Sequence, residues 1–150
     1  MYIPTILSWD ERLATGDRDL DMQHKYLIEI CNDLAVAIQK KSGAKIINMV
    51  LDVLSFYANS HFKKEEECMY RYKCVMAKHN QKAHALFLQQ IQKYRAEFST
   101  TEAADELALR IHRFFSTWII HHIMQVDTHI YTAIHHKPRP AASQLTSPLH

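Results

Sequence analysis

No proline falls between Pro4 and Pro138 and the chain holds only two glycines, so about 130 consecutive residues run free of the strongest helix breaker. That favours an all-helical fold. A chain of 150 residues is about one domain's worth, long enough to bury a core without disulfide or metal staples. The formal net charge is only +2, and basic residues are scattered among acidic ones: Lys63-Lys64 is offset at once by Glu65-Glu66-Glu67. There is no electrostatic footprint for nucleic acid. Met1 to Arg12 lacks the basic start and apolar core of a signal peptide, and no run of about 18 apolar residues could cross a membrane. Cys31, Cys68 and Cys74 are odd in number and form no C-x-x-C pair, which fits reduced, buried thiols. A soluble, cytoplasmic protein is expected.

Residues 1–18 show no sustained period and read as an N-terminal arm anchored by Trp9. From about Asp19, the positions Leu20, Leu27, Ile28, Cys31, Leu34, Ala35 and Ile38 recur at three and four, predicting an amphipathic helix with His24 on its inward stripe. Lys40-Lys41-Ser42-Gly43 supplies late cations and a glycine suited to a left-handed stop. A second helix from about Ala44 has the inner face Ile47, Val50, Leu51, Leu54, Ala58, His61, Phe62, Glu65 and Met69. Tyr70 to Val75 reads as a connector. The third helix, about Ala77 to Phe98, carries Asn80, His84, Phe87, Leu88, Ile91 and Tyr94 on one face. Ser99-Thr100-Thr101-Glu102 has a capping-box pattern opening a fourth helix. That helix buries Leu107, Ile111, Phe114, Phe115, Trp118, His122, Ile123, Ile130 and Tyr131. After His136 the proline- and serine-rich stretch 137–150 has no period and is expected to be disordered. The expectation is an up-down-up-down four-helix bundle over residues 19–136.

Each predicted helix places a possible ligand on its apolar face: His24; His61 with Glu65; His84; His122 with Asp127. A separation of four brings His61 and Glu65 to within about 40° of one another on a helix, so a metal could use both. Burying even one unpaired charge costs several kcal/mol, so six converging polar side chains need a common partner, and a metal centre supplies one. Imidazole nitrogen with carboxylate oxygen suits iron, manganese or zinc. Two carboxylates among the histidines point to two bridged metals, since a single tetrahedral zinc would leave ligands over. Neither the Glu-x-x-His of ferritin-like bundles nor the His-Glu-x-x-His of zinc proteases is present.

The chain resembles the bacterial hemerythrin-like proteins at Trp9, Gly16…Asp21-Met22-Gln23-His24, His61-Phe62-x-x-Glu65-Glu66, His84-Ala85-Leu86-Phe87 and Trp118-x-x-x-His122-x-x-x-x-Asp127. The resemblance covers residues 5–135 approximately. It implies a four-helix bundle holding two non-haem irons, with Glu65 and Asp127 bridging, the histidines terminal, and dioxygen bound at an open iron position. The departure is on the third helix, where the family commonly has a histidine four residues before the one matched by His84 and this chain has Asn80. His79 stands one residue earlier, about 140° round the helix from His84 and off the ligand face without a π-bulge. Asn80 points the right way but is a poor iron ligand. His112, His121, His129, His135, His136 and His150 read as surface residues.

Three functions remain open to this pattern. The first is a dioxygen carrier, store or sensor that turns over no substrate, because no acid, base or nucleophile stands out beyond the metal set. The second is a di-iron oxidase or reductase of dioxygen, peroxide or nitric oxide, and the third a metal-poor signalling module.

Overall fold

A computed structural model describes residues 4–135, apart from the side chains of residues 126–128. The expected tail, His136, His150 and the side chain of Asp127 lie outside the described residues. Four helices carry the fold: α1 (Arg18–Gln39), α2 (Gly43–Arg71), α3 (Ala77–Phe98) and α4 (Ala104–His135). No strand occurs among the described residues. Residues 40–42, 72–76 and 99–103 join them, and connections this short turn each helix back along its predecessor. Helix α1 packs on α2 and α4, α2 also packs on α3 and α4, and the α3–α4 seam is the thinnest. No described helix is long and apolar enough to cross a membrane.

The three- and four-residue stripes become the core. Leu34, Ile47, Leu51, Leu54, Phe87, Ile91, Leu107, Ile111 and Phe115 are buried, together with Cys31. The three thiols are free and buried. Burial pushes the Cys31 thiol up to about 12 and Cys68 to about 11, so both are neutral core side chains near neutral pH.

The helix ends differ from expectation in two places. Gly43 is the first residue of α2, and Lys41, at φ 58°, takes the left-handed stop of α1. The Ser42 N–H then donates to Ala37 O at 2.8 Å, closing the turn. Gly43 answers a packing need: a Cβ there would meet Ile38 Cγ1 at 3.0 Å and Ala108 Cβ at 3.1 Å. The same device ends α2, with Lys73 at φ 52° and the Cys74 N–H donating to Met69 O at 2.8 Å. Ser99 closes α3 instead of opening α4; the hydroxyl near the α4 start is Thr101 Oγ1, accepting from the Ala103 N–H at 3.0 Å.

The N-terminal segment is tied to the bundle at several points. Asn32 clamps Leu7, accepting from its N–H and donating to its carbonyl, both at 2.8 Å. Trp9 packs partly buried on the core, with Lys25 Nζ 4.9 Å from its ring centroid. A single 3₁₀ turn, Glu11–Leu13, buries Leu13. The Thr15 N–H and Oγ1 donate to Asp21 Oδ1 at 2.7 and 2.8 Å, and Asp17 Oδ1 accepts from the Leu20 N–H at 3.0 Å to cap α1. Gly16, at φ 87°, turns the chain between them, and a Cβ there would stand 2.6 Å from His135 Nε2.

One histidine expected at the surface is not there. His112 is fully buried, one turn from Ala108 and Phe115 on α4 and hydrogen-bonded to the Thr5 backbone; burial lowers its pKa. His129 is half-buried. His121 and His135 are exposed.

Candidate metal centre

The inward stripes of the four helices deliver His24 from α1, His61 and Glu65 from α2, His84 from α3 and His122 from α4 to one buried cluster. Glu65 is its hub and is fully buried. Its Oε2 lies 3.1 Å from His24 Nε2 and 3.3 Å from His61 Nε2. Its Oε1 lies 3.0 Å from His84 Nε2 and 3.3 Å from His122 Nε2. Two donor sets result, His24–His61–Glu65 and Glu65–His84–His122, sharing one carboxylate with one oxygen in each. The α2 backbone accounts for the pairing within the first set, since His61 and Glu65 are one turn apart on one face.

Burial by itself would raise the Glu65 carboxyl, but its contacts to the surrounding imidazoles outweigh burial and hold it well below the usual carboxylate range. Burial lowers His24 to about 4 and lowers His84 as well. The favoured state is a carboxylate beside His24 and His84 rings whose burial resists protonation. Gln23 Oε1 accepts from His61 Nδ1 at 2.7 Å, which orients the His61 ring with Nε2 towards Glu65. His84 Nε2 and His122 Nε2 stand 2.9 Å apart, where at most one can donate to the other. His24 Nδ1, His84 Nδ1 and Asn80 Oδ1 are buried with no hydrogen-bond partner.

A cation at each donor set would give these nitrogens and oxygens a common partner. Two donors each about 2.1 Å from a metal are separated by about 3.0 Å at a right angle and about 3.4 Å at the tetrahedral angle. The carboxylate–imidazole separations of 3.0 to 3.3 Å fall in that range on both sides of Glu65. The residues therefore fit a metal at each carboxylate oxygen.

Asn80 and His79 are separated clearly. Asn80 is buried and its Nδ2 donates to Glu65 Oε1 at 3.0 Å, whereas His79 is exposed on the far side of α3. Helix α3 runs regularly through both, with no π-bulge.

Several further side chains contribute. Phe62 stacks on His84, with centroids 3.8 Å apart and planes at 4°. Trp118 stacks on His122 at 4.4 Å and 10°. The second contact was legible, because Trp118 precedes His122 by one helical turn. Gln23 on His61 joins two helices and leaves no local signal. Glu66 Oε1 is 3.7 Å from His84 Nδ1, beyond hydrogen-bond reach. A cleft of about 770 Å³ at the α3–α4 seam, with Tyr94, Phe114, Arg113 and His121 in its walls, reaches Trp118 and His122.

A bundle whose four helices converge histidines on one buried glutamate is a metal-binding bundle, and comparison with known proteins gives its kind. The family model described as "Hemerythrin HHE cation binding domain" matches residues 15–134. The chain belongs to the hemerythrin family. Among its relatives is a bacteriohemerythrin of Pseudomonas aeruginosa (strain LESB58), 30% identical over 130 residues, which are 87% of this chain and 82% of the relative. A bacteriohemerythrin of Stenotrophomonas maltophilia (strain R551-3) is 29% identical over 125 residues, 81% of this chain and 77% of the relative. One from Campylobacter jejuni (serotype O:6, strain 81116 / NCTC 11828) is 30% identical over 88 residues, 58% of this chain and 66% of the relative.

Proposed function

We propose that this protein is a non-haem di-iron protein that binds dioxygen reversibly, as a carrier, store or sensor. The observation that carries the reading is the single buried carboxylate with two imidazole nitrogens at each oxygen. In this reading His24 and His61 would hold one iron, His84 and His122 the other, with the Glu65 carboxylate shared between them and Asp127 as a further carboxylate ligand. Such a pair would supply the two electrons that dioxygen takes up on binding and gives back on leaving.

The chain's own residues do the rest. Gln23 holds the His61 ring in the orientation that presents Nε2. Phe62, Phe87 and Trp118 wall the cluster with aromatic surface, keeping water from the bridging carboxylate and strengthening every charge interaction inside. The cleft at the α3–α4 seam gives a small apolar gas an approach that ends at His122. Free buried thiols suit a cytoplasmic setting.

Iron content and the visible spectrum of the reduced protein under argon, after air, and under argon again test the reading. Close to two irons per chain and a charge-transfer band that appears with air and vanishes on its removal are expected. A two-iron sample with no such band contradicts it. The buried amide of Asn80, where a further nitrogen ligand would stand, favours a second reading, an oxidase or reductase. Steady consumption of reductant under air is the result that would select it.

A further inference from the structure

The two halves of the centre are unequal, and the inequality lies at Asn80. Resting on the two-position reading above, we propose that the metals load in order, the His24–His61 position first and the His84–His122 position second, with Asn80 setting the second apart. On the first side, Glu65 Oε2 faces only His24 and His61 among the described side chains, and His61 is already oriented by Gln23 at 2.7 Å. A cation arriving there displaces the His24 Nε2–Glu65 Oε2 contact at 3.1 Å and meets no amide proton.

On the second side, Glu65 Oε1 already accepts the Asn80 Nδ2–H at 3.0 Å. An amide N–H has no lone pair to offer a metal, and it occupies one on the oxygen the metal needs. Its carbonyl partner, Asn80 Oδ1, is buried without a hydrogen-bond partner. Exchanging the two ends of the amide would present Oδ1 to the cation as a neutral ligand, but only by giving up a buried, charge-assisted hydrogen bond. Asn80 and His84 are one turn apart on α3, so a histidine at position 80 would face the same oxygen with a nitrogen lone pair in place of a proton.

Zinc, added stepwise to the metal-free full chain, tests this without redox chemistry, read through the imidazole ¹⁵N signals. One equivalent is expected to move the His24 and His61 signals, and the second to move His84 and His122. Both pairs shifting together, or His84 and His122 first, overturns the proposed order while leaving the two-position reading in place. No zinc-dependent shift in any of the four overturns both. Asn80→His is expected to tighten the second step by about tenfold or more and leave the first within about threefold. Asn80→Asp, nearly identical in size, carries the same expectation should the histidine variant not fold. A second step unchanged in a folded variant removes Asn80 as the cause.

Discussion

Helix α2 buries two stretches of one stripe to the same depth: Ile47 and Leu51 are 1% and 0% exposed, His61 and Glu65 1% and 0%. The first stretch meets apolar side chains from the neighbouring helices, where removing surface from water is favourable for every group involved. The second meets three imidazoles and an amide from the neighbouring helices, where desolvation is unfavourable until the polar atoms find partners. Equal burial therefore carries opposite energetic meaning in the two halves. The apolar half is stable by burial itself, and the polar half depends on the contacts its polar atoms make.

The largest effect should come from the apolar half. Leu51→Ala is expected to cost about 2–5 kcal/mol in denaturant unfolding, equally with and without metal. A cost that changed with metal would break the division between the halves. Glu65→Gln addresses the other half: it should abolish retention of metal at both positions and with it the metal-dependent gain, about 4 kcal/mol at a thousandfold excess over Kd. Retention of one metal by this variant, measured as metal per chain, would mean that the carboxylate is not shared.

Acid should separate the halves next. In the metal-free protein His24 is lowered to about 4, below its ordinary 6.5, so over that interval the unfolded chain binds a proton that the folded chain does not. Stability should therefore fall as pH drops from about 6.5 towards 4. Glu65 is held well below the ordinary 4.5, so its contribution is present above that value and is lost at still lower pH. Urea unfolding in the presence of a chelator checks the slope, and a flat profile from pH 7 to about 4 would remove the desolvated imidazoles from the account. The smallest effect is expected where α2 ends. Lys73→Gly relieves a left-handed residue at φ 52° and should stabilise by up to about 1 kcal/mol with zinc binding unchanged. A changed zinc affinity would show that the helix end reaches into the centre.

The helices and the convergence of His24, His61, Glu65, His84 and His122 were legible because both follow from periodicity on proline-free segments. The stops were harder to read, since Lys41 and Lys73 adopt the left-handed conformation that a sequence reader assigns to glycine. Gly43 then drew attention for conformation when its use is to let α2 pass close to Ile38 and Ala108. His112 was misplaced because its burial depends on the backbone of Thr5, more than a hundred positions away. The same limit hid Gln23 on His61, a contact between helices that no local pattern announces; the inward direction of Asn80 was legible from its spacing to His84, its bond to Glu65 was not.

Oxygen uptake by the reduced, iron-loaded chain tests the central claim most directly. One dioxygen bound per pair of irons and recovered under vacuum is the predicted result; uptake that cannot be recovered, or that continues for as long as reductant is supplied, would contradict it.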